Sequence, residues 1–155
     1  MNGRLKAMQH IEKVRNYLNM VAKDFLDRGE KHDQSKLIPP EDKYLDYHSQ
    51  NVDKVKYGTK QYYDFINTMK DGATAHYKHN SHHPEHYKNG INGMNLFDLL
   101  EMVCDWKVAS STYANGNIKR SLEINRKRHN IDKQLFNILC NTVKYIERKE
   151  ICSQS

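Results

Sequence analysis

Apolar residues recur at spacings of three and four through Leu5, Met8, Ile11, Val14, Leu18, Val21 and Phe25. That pattern is one stripe of an amphipathic helix, and Gly29 is placed to close it as a C-cap. A short segment carries His32 to Leu37 and must stop at Pro39-Pro40, because a proline ring removes a donor and clashes with the preceding turn. Glu41 to Tyr47 predicts another helix, followed by a polar connection. Thr59 is placed to cap a helix through Tyr62, Phe65, Ile66 and Met69 that extends towards His79, with Gly72 as its weak point.

His82 to Gly93 predicts a loop, punctuated by Pro84, Gly90 and Gly93. Asn95 caps the next helix, with Asp98 in a capping-box place and Leu96, Leu99, Leu100, Val103 and Trp106 turned inward. Helices over 117–129 and 132–148 follow. Asp132 caps the second, which carries Leu135, Leu139, Val143 and Ile146. No stretch alternates as a half-buried strand would, and there is no internal repeat or low-complexity tract. The pattern predicts an all-α chain.

At 155 residues the simplest expectation is a single domain, long enough to bury one core. Charged residues make up 28% of the chain and the mean hydropathy is -0.93, yet the periodic apolar positions and ten Tyr are unlike a disordered segment. No apolar run reaches the roughly 18 residues of a membrane span, and no signal-peptide core opens the chain. Cys104, Cys140 and Cys152 are odd in number and form no CxxC. Neither a disulfide framework nor a thiolate zinc knuckle is expected, and the natural setting is a reducing cytoplasm.

The formal charge of +6 points weakly to an anionic partner. The excess lies at the C-terminal end: over residues 119–149, Lys119, Arg120, Arg126, Lys127, Arg128, Lys133, Lys144, Arg148 and Lys149 face only Glu123, Asp132 and Glu147. A solvated helix face is one reading; a patch that attracts phosphate or nucleic acid is the other. No aromatic interleaving or recognised nucleic-acid motif supports the second.

The candidate chemistry is a dispersed set of imidazoles and carboxylates, the ligand types that Zn, Fe, Mn and Co accept. His10 lies at or beside the first apolar stripe, where a core or boundary residue is the plain alternative. His32 and Asp33 are adjacent, and Asp33 would be a costly buried charge unless paired or metal-bound. His76, His79, His82, His83 and His86 form a cluster, whose plain alternative is a surface patch that binds metals adventitiously. Asp105 and Glu101 are four apart on one helix face. Glu101 reads equally as an acceptor that orients a ligand His, a proton acceptor or an exposed carboxylate. Met102 and Trp106 read as core. No GxxxxGK[ST], GxGxxG or GxSxG occurs, so nucleotide-loop and serine-hydrolase chemistry lack support.

With its string His32-Asp33-Gln34-Ser35-Lys36, the chain resembles the HD superfamily of metal-dependent phosphohydrolases. Members commonly show a His on an early helix, an HD dipeptide followed at the third position by Lys, and a distal Asp on a later helix. His10, His32, Asp33, Lys36 and Asp105 fall in that order, with Ser35 where Gly is frequent. The gap from His10 to His32 fits one helix running out and a second returning. His82-His83 followed by Gly90 is similar to a segment of the two-metal subgroup, and Glu101-Met102-Val103-Cys104-Asp105-Trp106 to that subgroup's metal-binding helix. HDxSK, HxxxNxHHPEH and EMxxDW together resemble, more closely still, an uncharacterised family of phage and bacterial genomes. The resemblance covers roughly residues 5–130.

It implies an HD-like bundle of about six to seven helices that binds one or two divalent metal ions (Mn, Fe, Co or Zn). His10, His32, Asp33 and Asp105 would hold the first ion, and His76 with His82 or His83 the second. His76 and Asn80 are the recurring pair there, which ranks His76 above His79; His79 and His86 are expected to be exposed. Lys36, His83 and Glu101 would be the catalytic groups. The implied reaction is hydrolysis of a small phosphoester, with a nucleotide as its substrate class, in a bacterial cell or phage-infected host. The main alternative is a non-catalytic HD-like module that binds a nucleotide or nucleic acid. A structural metal protein is a third. His82-His83-Pro84-Glu85-His86 also matches HxxEH of the inverted zinc proteases, but that motif needs a continuous helix, which Pro84 forbids.

Overall fold

A computed structural model describes residues 2–56, 58–113 and 115–153. Among these residues there are seven α-helices and no strand, in keeping with the all-α pattern. The chain forms two compact units, divided in sequence between Gln34 and Ser35.

The first unit is essentially one helix, α1 (Gly3–Lys31). Asn2 caps it, its side chain accepting from the Arg4 amide at 3.0 Å. Gly29 does not end it. An internal glycine costs only about 1 kcal/mol relative to alanine, and Arg28 and Lys31 occupy the last turn, where cations offset the helix dipole. The left-handed residue that turns the chain is instead Asp33, with φ 56°. Short polar side chains tolerate that region better than most. The apolar stripe exists as a face, but no α1 residue is buried: Leu5 is 48% and Leu18 62% exposed. The expected return turn between His10 and His32 is absent. At 1.5 Å per residue the continuous helix separates these two histidines by about 33 Å.

The second unit begins with a 3-10 turn, Gln34–Leu37, shared with the boundary, and α2 (Asp42–Asn51). Where one helix was expected after Thr59 there are two, α3 (Lys60–Thr68) and α4 (Lys70–His79). Thr59 caps α3 through the Tyr62 amide at 3.3 Å. The break falls at Met69 (φ -100°, ψ 14°), and Gly72 lies inside α4. Its missing side chain admits the Tyr44 ring, which a Cβ there would strike. Residues 82–93 carry only two short 3-10 turns, Pro84–His86 and Gly90–Gly93. His82 and His86 therefore share no continuous helix.

The core of this unit is built by α5 (Leu96–Thr112), α6 (Ile118–Arg128) and α7 (Lys133–Ser153). Met102, Val103 and Trp106 of α5 pack with Ile118 and Leu122 of α6 and with Phe136, Leu139 and Val143 of α7. Asn95 and Asp98 complete a full capping box at the start of α5, and Asp132 accepts from the Leu135 amide at 2.8 Å. Leu96 departs from its expected inward place and is 77% exposed. It occupies the first turn of α5, where the buried direction is taken by Asp98. Among the described residues no helix is long and apolar enough to cross a membrane.

Candidate functional site

The site is organised by the C-terminal turn of α4 and the loop that follows it. His76 is buried, and its Nδ1 lies 2.7 Å from Oε2 of Glu41. A carboxylate only accepts, so Nδ1 carries the hydrogen and a neutral His76 ring holds its lone pair on Nε2. The same Glu41 oxygen accepts the Ser35 hydroxyl at 2.9 Å. The Asn80 amide donates to Ser35 Oγ at 2.8 Å and to the His76 carbonyl at 2.8 Å. Glu41 is only 5% exposed and is the hub of this network.

His82 repeats the arrangement on another carboxylate. It is 2% exposed, and its Nδ1 lies 3.1 Å from Oε1 of Glu101, which again directs a lone pair to Nε2. His83 stacks beside it with ring centroids 4.2 Å apart. The Nε2 atoms of His83 and His76 are 2.9 Å apart. With the His76 lone pair facing it, His83 carries the hydrogen between them.

The loop bearing His82 and His83 is anchored by Asp98, which has no exposure. It accepts Ser81 Oγ at 2.8 Å, Tyr87 Oη at 2.8 Å and the Asn95 amide at 3.1 Å. Pro84, also buried, stops any helical continuation. Thus α5 does two things at once: Asp98 holds the loop, and one turn later Glu101 orients its histidine.

The ligand-capable atoms of His76, His82 and His83 lie within 4.8 Å of one another, as do those of His82 and Asp105. His76 and His82, each braced through Nδ1 by a carboxylate so that Nε2 holds a lone pair, are the ligand type that a borderline divalent cation accepts.

The remaining expected residues fall as follows. His32 and Asp33 pair with each other in the first unit, Nε2 to Oδ2 at 3.2 Å. His10 is exposed on α1, and its separation from His32 along the helix removes it from any ligand set with that residue in one chain. Lys36 lies in the 3-10 turn; His48 is held below its ordinary pKa first by burial and then by the Lys36 charge. His79 and His86 are both exposed. His86 donates from Nδ1 to the Tyr77 carbonyl at 2.9 Å. Part of the basic C-terminal excess is engaged within the chain, Arg128 with Glu85 at 2.6 Å and Arg126 over the Phe136 ring at 4.5 Å.

In sequence Glu41 marks only the start of a helix, and Ser35 only a departure from a motif glycine. The single available signal was an acidic residue directly after Pro39-Pro40, which helix-start rules explain without any site. Asp98 likewise marks a cap alone.

The chain belongs to DUF5662, a family of unknown function whose model matches residues 3–145. No curated protein matches it, and no solved structure does.

Proposed function

We propose that this member of DUF5662 is a metal-dependent phosphohydrolase acting on a small phosphomonoester or phosphodiester, with a nucleotide as its substrate class. The observation that carries the reading is the pair of buried histidines, His76 and His82, each held through Nδ1 by a carboxylate. Such bracing sets the tautomer and raises the basicity of a ligand imidazole. An exposed, adventitious histidine patch has no use for it.

In this reading His76, His82 and Asp105, all of the second unit, hold one or two ions of Mn, Fe, Co or Zn. The bound cation would supply Lewis acidity and a water acidified towards a pKa of about 7. Glu41 and Glu101 keep the Nε2 lone pairs of His76 and His82 in place throughout. Lys36 offers positive charge to the developing phosphoryl oxyanion. His83, as the imidazolium, would protonate the leaving oxygen and be left neutral. Cys104, Cys140 and Cys152, which form no disulfide, suit the reducing cytoplasm we assign to it.

The test is metal content followed by turnover. Untagged protein purified without chelator should carry about one or two ions per chain, and His82→Ala and Asp105→Ala should lose them. A phosphoester screen should then separate wild type from Lys36→Ala, which removes the charge offered to the phosphoryl oxygens. Metal-free protein that binds nucleic acid in a salt-sensitive way would overturn the proposal in favour of a non-catalytic module. Unfolding on metal removal, with no phosphoester turned over, would make the metal structural.

A further inference from the structure

A cavity of about 130 Å³ borders His83 and Asp105 within the second unit. We infer that it seats one uncharged six-membered aromatic ring, of the pyrimidine-base class, in front of the histidine cluster. The inference deepens the phosphohydrolase reading and rests on it for the attached phosphoester.

Size is the first argument. An apolar protein cavity of about 150 Å³ takes up one benzene ring, so a space of 130 Å³ is the size of a single ring. The lining is the second. It includes the rings of Tyr62, Trp106 and Tyr113, all buried. Tyr62 and Tyr113 meet edge to face at 5.3 Å and 82°, an arrangement that presents both ring edges and ring faces to a planar guest.

The polar groups are the third argument. Ser121 and Asn125 also line the cavity, at 1% and 4% exposure. The Asn125 amide donates to Ser121 Oγ at 3.3 Å, the one side-chain bond it makes among the described residues. Its second N–H and its carbonyl oxygen form an adjacent donor and acceptor. The same alternation runs along the Watson–Crick edge of uracil or cytosine, and single-stranded bases are commonly held by stacking plus contacts on that edge.

Charge decides against the alternative occupant, a phosphate. Arg128 lines the cavity but is already paired with Glu85 at 2.6 Å and with Tyr77 Oη at 3.3 Å. An anion would meet a cation already neutralised; an uncharged ring does not depend on it. With the ring there, its phosphoester is left at the His83 and Asp105 border, beside the groups assigned to hydrolysis.

The experiment measures binding of uridine, cytidine, adenosine and guanosine to the metal-loaded full chain by calorimetry. Ala109 lines the cavity from an exposed position, so Ala109→Leu fills it without opening the core; Ser121→Ala removes one hydroxyl. Uridine or cytidine should bind at least tenfold tighter than either purine nucleoside. Ala109→Leu should weaken that binding at least tenfold, with metal content and Tm unchanged. Equal or tighter purine binding, no nucleoside binding (ordered water only), or indifference to Ala109→Leu would each overturn the inference. Turnover of p-nitrophenyl phosphate on the same preparation separates the two readings. Turnover without pyrimidine binding sinks the cavity assignment alone; pyrimidine binding without metal or turnover sinks the hydrolase alone.

Discussion

Glu41 and His76 stand 35 residues apart in sequence, and a 2.7 Å hydrogen bond joins them in a buried site. Because the carboxylate accepts at Nδ1, the far nitrogen of His76 is a lone-pair donor aimed at His83. A residue at the mouth of a helix thereby determines the chemistry of one at the end of another.

That relationship predicts the effect of Glu41→Gln. The amide still fits, but the ring loses its anionic partner and the Ser35 hydroxyl loses its charged acceptor. Affinity for Mn or Zn should fall about 10–100-fold, measured by titration calorimetry. Ser35→Ala removes a donor to the Glu41 carboxylate and an acceptor for Asn80 and should cost about 1.5–3 kcal/mol of stability. If Glu41→Gln bound metal like wild type, the bracing role would be wrong.

Asp98→Asn tests the anchor of the His82–His83 loop. Its buried carboxylate accepts from Ser81, Tyr87 and Asn95, and an amide cannot accept from all three in that geometry. A loss of about 2–4 kcal/mol is expected, with faster amide exchange over residues 81–87. Unchanged exchange there would show that the loop is held by something else.

Acid should destabilise the second unit in a window set by two histidines. His129 lies below its ordinary pKa, first through burial, against a raising effect of Glu85, with Arg128 adding to the lowering. His48 is lowered by burial and then by Lys36. For a depressed histidine the unfolded chain takes up protons first. The stability is therefore fully present above about pH 6.5 and is lost as the pH falls through the folded values. His129 stacks on Trp106 at 10° and 6.0 Å, so His129→Phe keeps a ring while removing the titration. The drop in Tm between pH 7 and pH 5 should shrink in that variant; an unaltered drop would exclude His129 as a contributor.

Met102 and Leu96 give a paired test of the α5 core. Met102 has no exposure, whereas Leu96 is 77% exposed. Met102→Ala should cost about 2–5 kcal/mol in denaturant unfolding, and Leu96→Ser about 0.5 kcal/mol or less. A large effect at Leu96 would mean that this face is covered in solution.

Much of the helical frame was legible because its signals are local. Asn95 with Asp98, Thr59 and Asp132 mark helix starts through side chain to backbone bonds that span two or three residues, and the apolar spacing of α5 and α7 selects their buried faces. The end of α1 at Lys31 is not legible in sequence, because a glycine only permits a stop. The cost of passing through Gly29 is small, and the residue that turns the chain is the candidate ligand Asp33 itself. The split at Met69 was equally hidden, since Gly72 proved to be a seat for Tyr44 rather than a hinge.

By itself the sequence determined an all-helical chain and the supply of imidazoles and carboxylates near its middle, because helix periodicity, caps and residue chemistry act over a few positions. Only the tertiary structure decided which of them work together. Glu41, Ser35 and Asn80 are unremarkable in sequence and converge on His76 around a carboxylate that is buried and must therefore find hydrogen-bond partners. Asp98 turned from a cap into a loop anchor for the same reason. His10, in its plausible motif place, was carried away from His32 by a helix that did not turn back.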